Sequence, residues 1–339
     1  MKRFMKVSVL IVLLAMLVSA CAPASPTAAP EEASQPAASG AIKVALVLPG
    51  VISDAGWNAS AYEGLTAAKD QLGVEIAYSE SVPLADFEAT FRDYASKGYN
   101  LIIGHGSEFG DAALTVAQEF PDTFFAITNS DVKAANVAGL DTKNEESGYM
   151  AGYVAGTISK SKKVGYVGAM EIVAMKRAEE GFKLGAQAAC PDCEVLVGYT
   201  GSFDDIAKGK ETALAQIDNG ADVVFQYADA SGLGVLEAAK EKNVAAIGMG
   251  SDQSELAPDN VVTSTIQKLA PIIVSITQEV QEGKFVSNQV RLYGYDTGAY
   301  DLAPLNSKLV TDEQAAKIQA VLDDMKAGKI ELPHLSEQQ

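Results

Sequence analysis

From residue 41 onward the chain alternates apolar runs with stretches of helical spacing. Residues 42–49 form a nearly continuous apolar run, the pattern of a strand buried on both faces. Residues 58–72 place Ala61, Leu65, Ala68 and Leu72 at helical intervals, and Gly73 stops the helix. The same reading predicts strands over 74–78, 99–104, 123–128 and 137–140, with helices over 86–96 and 112–119. A helix over 145–159 carries Gly148, Ala151, Gly152, Ala155 and Gly156, small residues that permit close packing. The alternation then restarts. Strands are predicted over 163–167, 194–199, 221–227, 244–248, 261–266 and 289–295. Helices are predicted over 174–188, 206–219, 232–241, 269–281 and 312–327.

Two successive βα runs of similar length predict two doubly wound α/β lobes. About 300 residues from residue 41 on exceed the usual size of one core, which also favours two domains. No Pro/Gly/Ser-rich linker separates the runs. The chain is therefore expected to cross between lobes more than once, near residues 140–143, 249–253 and 284–288. The expected partition is 41–141 plus 252–284 for lobe 1, and 142–251 plus 285–339 for lobe 2. A cleft spanned by several hinge strands is a closing trap for a ligand.

The first forty residues read differently. Lys2, Arg3 and Lys6 precede an apolar run at 9–18 that is too short for a membrane span, and Ser19, Ala20 and Cys21 follow. Residues 1–20 are the pattern of a signal peptide. The order Val18-Ser19-Ala20-Cys21 resembles a bacterial lipobox, which implies cleavage before Cys21 and lipid on that residue. Residues 21–40, rich in Ala, Pro, Ser and Glu, read as a flexible tether. Without residues 1–20 the count is 23 basic against 44 acidic residues, a net −21. Such a charge argues against nucleic acid and against direct adhesion to anionic lipid. The remaining cysteines, Cys190 and Cys193, stand between a helix and the next strand. A local disulfide or two idle thiols is expected there, and neither a metal site nor a cofactor.

The loops at the carboxyl ends of strands carry the chemistry, where open α/β sheets hold ligands. The first loop brings Asp54, Trp57 and Asn58, with Gly56 for tight backbone. A plain alternative has Trp57 on the core and Asn58 as a helix cap. The third strand leads into 104–111, where Asp111 serves either the ligand or a helix start. In the second half, Phe225, Tyr227 and Asp229 end one strand, Asp252 follows another, and Lys268 follows a third. Carboxylates accept bonds from sugar hydroxyls or ring N–H groups. Trp57 and Tyr227, or Phe225, suit a flat ring held between the lobes. Phe225 also reads as core, and Lys268 as a solvated helix start. Nucleophile-elbow and phosphate-loop motifs are absent. With His105 and His334 as the only histidines, no triad is supported, so no enzyme is expected.

Residues 54–58 before Tyr62-Glu63-Gly64-Leu65 are similar to the Asp-Lys-Ser-Phe-Asn…Gly-Leu opening of the basic membrane protein family of lipoproteins. That family includes purine nucleoside receptors of ABC transporters. The similarity continues through Gly148-Tyr149-Met150-Ala151-Gly152, residues 163–170, Gly201-Ser202-Phe203-Asp204-Asp205 and Ser251-Asp252-Gln253. The resemblance implies a type I periplasmic binding protein fold, with Trp57 in the place of a ring-stacking Phe. It implies further that Asp54, Asn58, Asp111, Asp252 and Lys268 surround a base and ribose. The expectation is a lipid-anchored, extracytoplasmic, monomeric receptor that delivers a purine nucleoside to a membrane ABC permease. The alternatives are another heterocycle or a sugar on the same fold, or a ligand-sensing partner of a membrane receptor.

Overall fold

A computed structural model describes residues 41–53 and 57–335. Asp54, Cys21, and the signal and tether segments lie outside the described residues. The first sheet has the order β11-β5-β4-β3-β1-β2. Its strands are β1 (Lys43–Val47), β2 (Glu75–Ser79), β3 (Leu101–Gly104), β4 (Phe124–Thr128), β5 (Val137–Thr142) and β11 (Val290–Tyr293). All its pairings are parallel. Alternation along β1 assigns the two faces. Val44 and Leu46 pack on α1 (Trp57–Leu72) and α8 (Ala270–Gln281), through Leu65, Ile272 and Ile276. Ala45 and Val47 pack on α2 (Phe87–Ser96) and α3 (Gly110–Ala117), through Phe91, Phe109 and Ala113.

The second sheet has the order β12-β10-β9-β8-β6-β7. Its strands are β6 (Lys163–Gly168), β7 (Glu194–Tyr199), β8 (Val223–Tyr227), β9 (Ala245–Gly250), β10 (Val261–Gln267) and the short β12 (Tyr300–Leu302). β12 is antiparallel to β10 and the other pairings are parallel. One face packs Tyr166, Phe225 and Tyr227 against α4 (Asn144–Ile158), α5 (Val173–Ala189) and α9 (Asp312–Lys326). The other packs Val167, Val224 and Ala246 against α6 (Ile206–Asp218) and α7 (Gly232–Lys242). Cys190 and Cys193 form a disulfide just before β7.

The expected partition needs correction at two places. The strand over 261–267 belongs to the second sheet, because β10 runs parallel to β9 along Val261–Ile266. The glycine-flanked turn at 249–253 mimics a hinge, but its chain returns into the same sheet. β11 belongs to the first sheet, paired with β5. Residues 284–288 stay in lobe 1, where Phe285 packs on Phe124 and Asn288 N–H bonds Val137 O. The passages between lobes therefore run from β5 to α4, from β10 to α8, and from β11 to β12. Each leaves the carboxyl end of a strand.

The first passage is fastened by a charged cluster. Arg177 of α5 bonds Asp141 of β5 at 2.7 Å, and its Nε donates to the Leu335 carbonyl. His334 Nδ1 lies 2.7 Å from Glu145 Oε1 of α4, and its Nε2 lies 3.3 Å from Asp141. Burial works to raise the Asp141 carboxyl, but hydrogen bonds from His334 and Arg177 outweigh it and hold the carboxyl below its usual value. Hydrogen bonds to Asp141 and Glu145 push His334 up to about 9. The C-terminal segment is thus strapped to the hinge.

α4 and α5 touch backbone to backbone. A Cβ on Gly148 would overlap the Ala178 carbonyl, and one on Gly181 the Glu145 carbonyl. Gly181→Ala forces the helices apart and is expected to cost about 1–3 kcal/mol, read as a lower urea midpoint. His334→Ala is expected to cost about 1–2 kcal/mol after allowance for solvent screening. A raised folded-state value places this contribution fully below the unfolded value of 6.5 and removes it as pH rises through about 9. Melting curves of the two proteins should therefore differ at pH 6 and converge near pH 10.

Candidate functional site

The three passages leave the carboxyl ends of β5, β10 and β11, the ends at which the loops carrying the expected site residues also begin. Trp57 opens α1 at the end of the β1 loop and is part-buried against the α1–α8 core. Its ring contact among the described residues is with His105, which follows β3. The ring centroids lie 4.0 Å apart with planes 23° from parallel. His105 is fully buried. Its Nε2 lies 3.0 Å from the Trp57 carbonyl and its Nδ1 lies 3.0 Å from Thr128 Oγ1, at the end of β4. A carbonyl oxygen only accepts, so Nε2 carries hydrogen, and in the neutral ring Nδ1 accepts from Thr128. The Trp57 carbonyl also accepts from Ser60 Oγ at 2.8 Å. Asn58 is buried, and its Oδ1 accepts from Gly50 N–H at 3.4 Å.

Asp111 is exposed in the first turn of α3, where a carboxylate meets the positive end of the helix dipole. It is not the cap residue, since Phe109 holds that position. Asp252 is exposed and accepts from Ser254 N–H at 3.0 Å. Asp229 follows β8 in the left-handed region, with φ +47°. Water reaches it, yet desolvation raises its carboxyl from the ordinary value. Lys268 follows β10 and pairs with Asp301 of β12 at 2.6 Å. Burial works to raise Asp301, but hydrogen bonds from Lys268 and Lys326 bring it down to about 2.

A second stacking ring was expected from Phe225 or Tyr227, with Phe225 also read as core, and both rings are buried in the second lobe. Phe225 is fully buried, its ring stacked on Phe182 at 5.6 Å between centroids. Tyr227 is buried on the same sheet face, because positions 223, 225 and 227 share one side of the strand. Its hydroxyl donates to Asn144 Oδ1 at 2.7 Å, and Tyr300 donates to the same oxygen at 3.0 Å. Asn144 opens α4 just past the first passage, so both tyrosines secure the hinge. An open groove of about 630 Å³ runs along β7 and α6, past Val197, Lys208 and Glu211, and contains none of the expected site residues.

No local pattern in the sequence marks His105 as the partner of Trp57. Its position directly after a buried strand, in the same layer as the Trp57 loop, was the available signal. Asp301 was missed because three-residue β12 leaves no period to read.

Two helix-flanked, mostly parallel sheets, with every passage at a carboxyl end, define an α/β type I periplasmic binding protein. The chain belongs to the Bmp family, PnrA-like ABC transporter substrate-binding proteins, whose family model matches residues 41–336. It is 31% identical to an ABC transporter nucleoside-binding protein, BmpA, of Lactococcus lactis over 304 residues, covering 83% of this chain and 86% of the relative. It is 27% identical to a purine-binding protein of Brucella abortus, covering 82% of this chain and 81% of the relative. An ABC transporter solute-binding protein structure from Conexibacter woesei superposes with a TM-score of 0.72 at 27% identity. That superposition covers 87% of this chain and 99% of the other. The family serves ABC importers outside the cytoplasm by binding a small molecule for a permease, rather than by catalysis. Among the described residues no helix is long and apolar enough to cross a membrane.

Tyr227→Phe removes one of two donors to Asn144 and is expected to cost about 0.5–1.5 kcal/mol. Chemical denaturation with an unchanged slope would show the loss as a lower midpoint.

Proposed function

We propose that this protein is a lipid-anchored extracytoplasmic receptor that closes on a purine nucleoside and presents it, as a monomer, to an ABC permease. The observation that carries the reading is Trp57: a flat ring at the mouth of a parallel sheet, backed on one face by His105 and part-exposed. A purine offers a matching flat face, and stacking on an aromatic side chain suits any base. The nucleoside- and purine-binding relatives support this ligand class.

Roles follow from chemistry. Trp57 stacks on the base. Asp54 and Asn58 come from the same loop to the polar edge of the ligand. Asp111, Asp229 and Asp252 accept from ribose hydroxyls or ring N–H groups, as exposed carboxylates on carboxyl-end loops. Lys268 is released from Asp301 to donate to the ligand. Phe225 and Tyr227 have no part in contact. The membrane link is a lipid on Cys21, supported by the Val18-Ser19-Ala20-Cys21 order.

Titration calorimetry with adenosine, guanosine and inosine, with glucose and leucine as controls, tests the reading. Saturable binding of a purine nucleoside is expected, with a melting temperature that rises with ligand concentration by mass action. Trp57→Ala is expected to weaken binding by about 1–3 kcal/mol. Failure of all three nucleosides to bind would remove the ligand assignment and leave the family unchanged.

A further inference from the structure

We infer that His105 is the residue that sets the plane of the Trp57 indole and so prepares the stacking surface for a ring. The inference deepens the proposed function and rests on it for the ligand, though not for the geometry.

The argument starts from what burial costs. An imidazole is polar at two atoms, and a fully buried one is unfavourable unless both are satisfied. Filling space beneath an indole would need only an apolar side chain. His105 instead spends each ring nitrogen on a neighbour of the site: Nε2 on the Trp57 carbonyl, Nδ1 on Thr128 Oγ1. Its backbone N–H bonds the Val47 carbonyl at 2.9 Å, at the carboxyl end of β1. The residue is thus fixed to the ends of β1 and β4 and to the first turn of α1. Two ring bonds of different direction leave the imidazole no free rotation about its side-chain torsions.

Fixing the imidazole fixes the indole. The rings lie nearly parallel at 4.0 Å, so the imidazole covers one indole face. The bond to the Trp57 carbonyl holds the backbone of the same residue, so side chain and main chain are positioned by one partner. Binding then meets a ring already immobilised, and the rotamer entropy of Trp57 is not lost on association. A three-layer stack results: imidazole, indole, ligand base. His105 acts through Trp57 and is a positioning residue.

Trp57 is the chain's one tryptophan, so its emission reports this geometry without a ligand. Three variants separate the parts: His105→Ala removes plate and bonds, His105→Phe keeps a flat plate without bonds, and Thr128→Val frees Nδ1. Each is measured by circular dichroism, acrylamide quenching and anisotropy of the ligand-free protein, then by calorimetry with the three nucleosides. In His105→Ala the indole should become more accessible to acrylamide and its anisotropy should fall. Affinity should drop about ten-fold, within the range for an aromatic stack on a base. His105→Phe should recover most of that affinity, because a ring again backs the indole. Thr128→Val should fall between wild type and His105→Ala in quenching. Should His105→Ala not fold, the Phe and Val variants carry the same comparison against wild type. A folded His105→Ala with wild-type quenching and anisotropy overturns the inference, as does a Thr128→Val with no change in either. If the wild type binds no nucleoside, the ligand reading fails alone, and the quenching series still decides the role of His105.

Discussion

Every passage of the chain between the two sheets leaves the carboxyl end of a strand, at β5, β10 and β11. This follows from the chemistry of parallel sheets. The strands of a parallel sheet all point the same way, so their carboxyl ends share one edge, and each is followed by a crossover. When the crossover helix packs on the other sheet instead of its own, the exit becomes a hinge. Both carboxyl edges are thereby tied to the same place. The loops that bear Trp57, Asp111, Asp229, Asp252 and Lys268 all follow carboxyl ends of strands, although they are scattered over more than two hundred positions.

Around the hinge, several buried polar groups are bonded to one another, and those to Asp141 of β5 cross between the lobes. Asn144 accepts from Tyr227 and Tyr300, Glu146 accepts from Tyr295 N–H at 2.8 Å, and Arg177 and His334 both meet Asp141. An apolar hinge of the same size would be easier to build, since charged groups lose solvation on burial. Directional bonds, however, define the angle at which the passages leave. The close approach of α4 and α5 at Gly148 and Gly181 completes the rigid side of the joint.

The site shows the same logic on a smaller scale. Trp57 is held by the ring beneath it and by a bond to its own carbonyl, both from His105. The charged groups are less fixed: Asp111 and Asp252 stand in solvent, and Lys268 is paired with Asp301. A rigid apolar plate with adjustable polar groups suits a lobe that moves onto its ligand.

The strand and helix periods were set locally, and the sequence by itself determined nearly all elements to within a residue or two and the two-lobed α/β class. Lobe membership of β10 and β11 was decided only in three dimensions, because which edge a strand joins depends on hydrogen-bond partners far away in sequence. The fate of Tyr227 was decided there too: alternation puts it on one face with Phe225, which already reads as core, but packing against α4 and α5 is what buries it. His105 beneath Trp57, 48 positions away, is the same case. Adjacent strand ends place them together, and no local pattern encodes a distance between strand ends.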